Sequence, residues 1–253
     1  MTKREKPVRQ KKNSIPGFRK KFFFTLRATL LLSVFLNLGM GAYIVLRDGN
    51  VSQPEVVEEL NERLEYIVWA LVTFVLTYGT SYIEKNRKIN IPDVLELVIT
   101  LFIYAGIFLS NQFNLYYKFW WWDDLLHFFS GIIIGFIGFI VIYLINHNYS
   151  MDISPLLVAF FTFTFAVTLG VFWEIGEFTL DALLGHDHQK WGLPPDSVLL
   201  GKPYQGSGLR DTMSDLIVDC LGALITSFIT YFAYKKDKKR TLEQMKTIIN
   251  TEE

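Results

Sequence analysis

Six long apolar runs, separated by short charged segments, constrain the fold of this 253-residue chain more than any other feature. About 17–25 mainly apolar residues are enough to cross the hydrocarbon core of a bilayer as an α-helix. Soluble domains of this size rarely contain such runs, and here 51% of all residues are hydrophobic. The sequence therefore predicts an all-α fold, a polytopic transmembrane helical bundle. Its predicted spans are residues 25–46, 66–83, 94–111, 124–145, 155–184 and 211–234.

The charges that flank these runs predict how the chain is oriented. Basic residues dominate segment 1–21, acidic residues dominate 47–65, and 84–92 and 235–240 are basic again. Because cytoplasmic segments of membrane proteins carry the excess of Lys and Arg, both termini are predicted to be cytoplasmic. The organisation expected is a basic cytoplasmic tail (1–21), a six-span transmembrane domain (22–235) and a charged cytoplasmic tail (236–253), in a multi-pass protein of the plasma membrane.

The basic first segment has two further consequences. It is expected to be disordered and to stay beside anionic lipids of the inner leaflet, and the first span is expected to remain uncleaved. Without aromatic residues between the basic ones, the segment does not indicate nucleic-acid binding. Arg27 is expected to snorkel to the inner interface, and Glu96 is expected to lie at that interface. The single cysteine, Cys220, excludes an intrachain disulfide and a CxxC metal motif, and the oligomeric state is not set by the sequence.

Acidic residues and one histidine recur at helical spacing in the last three spans. Residues three, four, seven or eight apart share one face of a helix. The predicted topology places all three sets at the outer end of their spans, as a pocket that opens outward and narrows into the bilayer. The three sets are Asp123, Asp124 and His127; Glu174, Glu177 and Asp181; and Asp211, Asp215 and Asp219.

These sets predict a metal site. A carboxylate deep in a span costs about 2.5–3.5 kcal/mol and therefore needs a partner. Basic residues are few in the predicted outer segments, so a divalent cation or protonation of several acids is expected. Oxygen ligands suit Mg²⁺, Mn²⁺ or Ca²⁺, and a histidine permits Zn²⁺ or Fe²⁺. The predicted ligands are Asp123, Asp124, His127, Glu174, Glu177, Asp211 and Asp215, with His127 and Glu177 as candidate catalytic groups.

Structural roles compete with this interpretation. Asp123, Asp124 and Asp211 begin their helices, where a carboxylate caps the helix and favours its dipole. His127 fits a hydrogen-bonded core histidine as well as a ligand. His186 and His188, in the sequence Gly-His-Asp-His of an outer loop, fit either solvated side chains or additional ligands.

Two other patterns have structural interpretations. Trp120, Trp121 and Trp122 are typical of an aromatic belt at the membrane interface. Gly131, Gly135 and Gly138 have the small-residue spacing that lets one helix approach another closely.

Three motifs carry a resemblance to known proteins: Asp124-x-x-His127 followed by Ser130-Gly131, Trp173-Glu174-Ile175-x-Glu177, and Asp211-Thr212-x-x-Asp215 leading to Gly222-Ala223. On these motifs the chain resembles the YjdF-like family of predicted inner-membrane proteins and, more distantly, VanZ-like proteins. The resemblance covers about residues 25–235. It implies a polytopic α-helical fold with a polar site, and it supplies no reaction.

Three functions are compatible with these patterns. The first is a metal-dependent enzyme that acts on a lipid or envelope precursor at the outer leaflet. The second is a transporter of cations or protons, in which acids would continue through the membrane. The third is a non-catalytic membrane protein whose acids only pair with neighbours and cap helices.

Overall fold

A computed structural model describes residues 16–48, 51–87, 91, 93–149, 151–184, 188–189, 207–236, 238 and 240–241. All regular secondary structure in these residues is helical. Six of the helical stretches are long and apolar enough to cross a membrane. The predicted fold class, a polytopic helical bundle, is therefore confirmed. Residues 1–15, His186 and the last twelve residues, 242–253, lie outside the described part of the chain.

The helices extend beyond the predicted spans, because charged residues outside the hydrocarbon continue the same helical turns. Helix α1 begins at Pro16, so residues 16–21 of the segment expected to be a disordered tail are helical. Pro54 starts α2, and the acidic residues that follow it lie on that helix rather than in a loop. The helices are α1 (Pro16–Asp48), α2 (Pro54–Leu76), α3 (Gly79–Arg87), α4 (Asp93–Ile103), α5 (Ser110–Phe113), α6 (Leu115–Lys118), α7 (Trp122–Tyr149), α8 (Pro155–Leu184) and α9 (Ser207–Lys236).

The chain forms two compact units. The first comprises residues 1–81 and 91–104, and in it α1 packs along α2 and α2 also contacts α4. The second comprises residues 82–90 and 105–253, and in it α7, α8 and α9 pack against one another in all three pairs. The three predicted acidic sets belong to these last three helices and hence to one unit.

Glycines let α7 and α9 approach at backbone distance. A Cβ atom on Gly131 would collide with the carbonyl oxygen of Asp219, and one on Gly222 would collide with the carbonyl oxygen of Phe128. A Cβ on Gly138 would lie 2.9 Å from the Phe165 ring. The close packing expected of these small residues in α7 is confirmed, and it holds the acidic sets of α7 and α9 in a fixed register.

A π-helical segment, Tyr104–Leu109, interrupts the third span between α4 and α5. Side chains take up three of the carbonyls that this wider turn leaves available: Ser110 Oγ donates to Ala105 O at 2.8 Å, Asn111 Nδ2 to Ile107 O at 2.7 Å, and Tyr116 Oη to Gly106 O at 2.9 Å. Such segments are frequent at functional sites. Here the hydrogen bonds fix the short helix α6 beside the start of α7.

Candidate functional site

His127 lies at the centre of a buried acidic cluster. Asp123 and His127 are one turn apart at the start of α7, and Asp215 projects from α9. One ligand atom from each of the three side chains lies within 4.8 Å of the other two. His127 is 6% exposed and Asp215 is 2% exposed, so neither side chain faces lipid. Residues predicted from two separate spans therefore meet in one place.

Helix α8 adds two glutamates to this cluster. The Glu174 Oε1 atom lies 3.8 Å from His127 Nε2, and the Asp123 Oδ1 atom lies 3.7 Å from the same nitrogen. Glu177 lies one turn further along α8, close enough for its charge to interact with Glu174 and Asp123. Its Oε1 atom accepts a hydrogen bond of 2.8 Å from Trp173 Nε1. Both glutamates are buried although the C-terminal half of a helix does not favour negative charge.

Asp219 orients the histidine through its Nδ1 atom. His127 Nδ1 lies 3.3 Å from Asp219 Oδ2, and Ser130 Oγ donates to Asp219 Oδ1. We assign the ring proton to Nδ1, since Asp219 is an acceptor there, and the lone pair then belongs to Nε2, which faces Asp123 and Glu174. This carboxylate–histidine arrangement is the one that orients metal-binding histidines in proteins.

The position of Asp219 was visible in the sequence, but its role was not. Its spacing from Asp211 and Asp215 put it on the acidic face of α9, yet it was not among the predicted ligands. Gly170 of α8 leaves space for the Asp219 carboxylate, because a Cβ atom on residue 170 would lie 2.6 Å from Asp219 Oδ2. Such a contact between two spans cannot be read from spacing within one span.

Several carboxylate oxygens of the cluster are buried without a hydrogen-bond partner among the described residues. Isolated buried polar atoms are costly, so a bound cation or protonation of the acids would be needed where no described residue serves as partner. A set of carboxylate oxygens and one imidazole nitrogen fits a divalent cation such as Mg²⁺, Mn²⁺ or Zn²⁺. The atoms are Oε2 of Glu177, Oδ2 of Asp211 and Oδ2 of Asp215, whereas the buried Glu174 carboxylate has the Thr212 hydroxyl beside it.

Two predicted ligands lie at the edge of the cluster. Asp211, one turn before Asp215, is close enough to Asp123 and Glu174 for their charges to interact. Asp124 instead accepts a hydrogen bond of 2.8 Å from Ser214 Oγ, and so links the first turn of α7 to α9. This contact between helices is a structural role, although it differs from the helix cap that the sequence suggests for Asp124.

Asp181 and His188 contact each other rather than the cluster. His188 Nδ1 lies 3.0 Å from Asp181 Oδ1, and the backbone N–H groups of His188 and Gln189 donate to the same carboxylate. Gln189 Nε2 then donates to Thr212 Oγ1 at 2.9 Å. The turn after α8 is thus tied to the start of α9, and its histidine has a structural partner.

Tyr116 borders the site and has no signal in the sequence. Burial, and the negative charge of nearby Asp123, raise the pKa of the Tyr116 phenol well above its usual value. The phenol therefore stays neutral and acts as the hydrogen-bond donor to Gly106 O. Trp122, expected in an aromatic belt, is also anchored, because its Nε1 donates to Ser110 Oγ at 2.7 Å. Trp120 is 86% exposed, as a belt residue would be.

Comparisons with known proteins agree with this architecture. Residues 55–236, which include all three acidic sets, match a family described as predicted membrane protein (DUF2238). A protein of Thermotoga maritima described only as uncharacterized is 29% identical over 179 residues, which cover 70% of this chain and 83% of that relative. No solved structure matches. Since the family match covers more than half of the sequence, the chain belongs to the DUF2238 family of predicted membrane proteins.

Proposed function

We propose that this protein is a metal-dependent membrane enzyme that acts on the polar part of a lipid or envelope precursor at the outer leaflet of the plasma membrane. The observation that carries this proposal is the convergence of carboxylates from α7, α8 and α9 around His127, with those of α8 and α9 buried. A purely structural cluster would satisfy its own oxygens, whereas this one leaves several buried oxygens without a partner among the described residues.

The side chains divide into two groups of roles. Asp123, His127 Nε2 and Asp215 would hold the cation, with Glu174 Oε1 3.8 Å from the same nitrogen and the charge of Asp211 nearby. Asp219 keeps the histidine in the tautomer that binds. When bound, a divalent cation supplies Lewis-acid polarisation of a phosphoryl or carbonyl oxygen and stabilises the charge that develops there.

Glu177 is the better placed of the two candidate general bases. Trp173 holds one of its carboxylate oxygens, and the other has no hydrogen-bond partner among the described residues. That second oxygen is therefore available to accept a proton from a water molecule or a substrate hydroxyl. His127 is less suitable, since one ring nitrogen contacts Asp219 and the other faces the cation ligands.

Apolar side chains around Glu177 favour a lipid substrate. Trp173, Ile175 and Phe178 are each more than half exposed on α8, on the same turns as the buried glutamates. In a bilayer these residues would contact acyl chains while the head group reaches the acidic cluster.

Transport fits less well, because the buried acids of this unit end at Asp219. In the other half of the unit, the described core is apolar and includes Phe139, Ile142 and Val158. The buried polar groups there are hydroxyls and Asn146, and no buried carboxylate occurs among its described residues. A pathway for cations or protons would need acceptors through that half as well.

Metal analysis of the detergent-purified protein tests the proposal. We expect one equivalent of divalent metal in the unaltered protein and less than about a tenth of that in Asp215→Asn, since removal of a ligand charge weakens the site strongly. Asp152→Asn changes an exposed carboxylate outside the cluster and should retain full metal. An unaltered protein without stoichiometric metal after purification in metal-containing buffer, or equal retention in Asp215→Asn, would contradict the metal site.

Catalysis has a separate test. A bacterial lipid extract is incubated with the purified protein and compared by mass spectrometry with the same extract and the Glu177→Gln variant. We expect this variant to keep its metal and to lose at least about 100-fold in turnover, the usual contribution of a general base. If the unaltered protein binds metal and changes no lipid, the enzymatic part of the proposal fails while the metal site stands.

A further inference from the structure

The first compact unit contains a groove of about 780 Å³ between α1 and the second span. One wall is apolar and consists of exposed side chains of α1, among them Phe24, Leu31, Leu32 and Phe35. Three basic residues, Arg19, Lys20 and Arg27, line the same groove near the start of α1. A cationic end and an apolar length are therefore combined in one cavity, in a unit separate from the acidic cluster.

The charge of Arg19 is already balanced inside the protein. Its guanidinium donates to the carboxylate of Glu96, with Nε at 2.7 Å from Oε2, and Asp93 lies 3.6 Å away. Thr80 Oγ1 and Ser81 Oγ donate to the other Glu96 oxygen at 3.0 and 3.3 Å. Glu96 is 1% exposed, because Arg19 reaches it from α1. It lies in the first turn of the third span, and its expected place at the membrane interface stays a prediction.

The charge of Arg27 is not balanced in this way. Its Nε donates to Thr77 Oγ1 at 3.0 Å and its Nη2 to Thr77 O at 2.9 Å, and its guanidinium lies 3.6 Å from the centre of the Tyr78 ring. Among the described residues no carboxylate contacts it. Arg27 is therefore held beside the end of α2, and its expected reach to the inner interface stays a prediction.

A guanidinium in a span is costly unless an anion accompanies it. Two hydrogen bonds to Thr77 and the contact with the Tyr78 ring fix the plane of the Arg27 guanidinium. Its Nη1 group has no hydrogen-bond partner among the described residues. Arginine held rigidly in this way is suited to the oxygens of a phosphate. Lys20 is exposed on α1 about two turns before Arg27, on the same face of the helix, and adds a second positive charge to the groove.

We propose that this groove binds one anionic phospholipid. Its phosphate contacts Arg27 and Lys20, and one acyl chain lies along Leu31, Leu32 and Phe35. A zwitterionic lipid brings its own cation and gains less from these two side chains, so the groove should discriminate by head-group charge. The proposal does not depend on the acidic cluster or on any catalytic activity.

Photolabelling in nanodiscs tests the groove. The full chain is reconstituted with a trace of phosphatidylglycerol or phosphatidylcholine that carries a diazirine on one acyl chain, and the labelled peptides are mapped by mass spectrometry. We expect the phosphatidylglycerol probe to label the α1 peptide around Leu32 about fivefold more than the phosphatidylcholine probe, and Arg27→Gln to remove that difference. The glutamine Nε2 takes about the place of the arginine Nε and can still donate to Thr77 Oγ1, so the variant should fold.

Two further variants make the result specific. Lys21→Gln removes a neighbouring exposed charge that does not line the groove, and it should label as the unaltered protein does. Leu32→Trp fills the groove without a change of charge and should abolish labelling at this peptide. The proposal would be overturned by equal labelling with both lipids or by equal losses of labelling in Arg27→Gln and Lys21→Gln. It would also be overturned if millimolar glycerol 3-phosphate displaced the label, because a soluble phosphate would then be sufficient for binding.

Discussion

His127 is in contact with acidic residues from all three helices of its unit. Asp123 precedes it by one turn on α7, Glu174 approaches from α8, and Asp219 from α9. A single imidazole cannot satisfy all of these carboxylates, since it offers two nitrogens. The arrangement is explained if one nitrogen is reserved for orientation by Asp219 and the other, with the remaining acids, for a cation.

The role of Asp219 leads to a prediction. Asp219→Asn should weaken divalent-cation binding by about 10- to 100-fold without removing a direct ligand, because the charge that fixes the histidine tautomer is lost. Titration with Mn²⁺, followed by the electron paramagnetic resonance signal of the free ion, measures this affinity. Ser130→Ala removes a hydroxyl that donates to Asp219 Oδ1 and to His127 O but leaves the Asp219 charge in place, so it should have a smaller effect. If Asp219→Asn binds Mn²⁺ as tightly as the unaltered protein, the assignment of Asp219 is wrong.

Gly170 provides a second prediction with a control on the same helix. In Gly170→Ala the new Cβ would lie 2.6 Å from Asp219 Oδ2, so the carboxylate must move away from His127. We expect Mn²⁺ affinity to fall about tenfold, as for other disturbances of residues that support a metal ligand. Gly176→Ala places its Cβ where nothing lies within 4 Å and should bind Mn²⁺ normally. Equal affinities in the two variants would show that Asp219 does not need its observed position.

At this scale the sequence predicts residue types better than contacts. Helical spacing identified every acid that converges on His127, because the pattern lies within single helices. It could not separate Asp124, which bonds Ser214, from Asp123, which faces the histidine. The sequence also could not identify Tyr116, which borders the site and donates to Gly106 O in the π-helical segment. Composition does not mark such a segment.

At the scale of elements, the site depends on how closely α7 and α9 approach. Gly131 and Gly222 face each other's helix with no space for a Cβ, and Thr226 Oγ1 donates across the interface to Ile132 O at 3.2 Å. Small residues at such crossings allow van der Waals contact between backbones, which is the main source of association between helices in lipid. The glycines thereby position Asp215 and Asp219 beside His127.

A test of this packing is Gly222→Ala. The new Cβ would collide with the backbone of α7, which cannot move aside as a side chain can. We therefore expect the free energy of unfolding to fall by at least about 1–3 kcal/mol. Thermal unfolding in detergent, measured by the loss of the monodisperse peak, detects this change. Gly39→Ala, in open space on α1, should be neutral or stabilise by about 0.5–1 kcal/mol. Comparable stability of both variants would contradict the close crossing.

The sequence also predicts the helices better than their ends. Apolar runs mark the hydrocarbon-crossing part, and residues 155–184 coincide with α8. The start of α1 was missed because Arg19 and its neighbours are polar, although Arg19 is held in the helix by a buried partner 77 positions away, Glu96. Long-range ion pairs of this kind leave no trace in local hydropathy.

At the scale of the whole molecule, orientation in the membrane follows from charge and stays a prediction. The segment between α1 and α2 is flanked by acids, whereas the end of α9 carries Lys235 and Lys236. The positive-inside rule places the first outside and the second inside. Lys118, at the end of α6 and four residues before α7 begins, should then face outward with the acidic cluster.

Cysteine labelling in intact cells tests this orientation, and the chain is convenient because Cys220 is its only cysteine. In a Cys220→Ala background, Ser52→Cys and Lys118→Cys should react with a membrane-impermeant maleimide added outside, because both positions are exposed and predicted to be extracytoplasmic. Lys238→Cys should react only after the cells are permeabilised. Labelling of Lys238→Cys alone in intact cells would invert the topology, and the acidic cluster would then open to the cytoplasm, where a precursor at the inner leaflet would be its substrate.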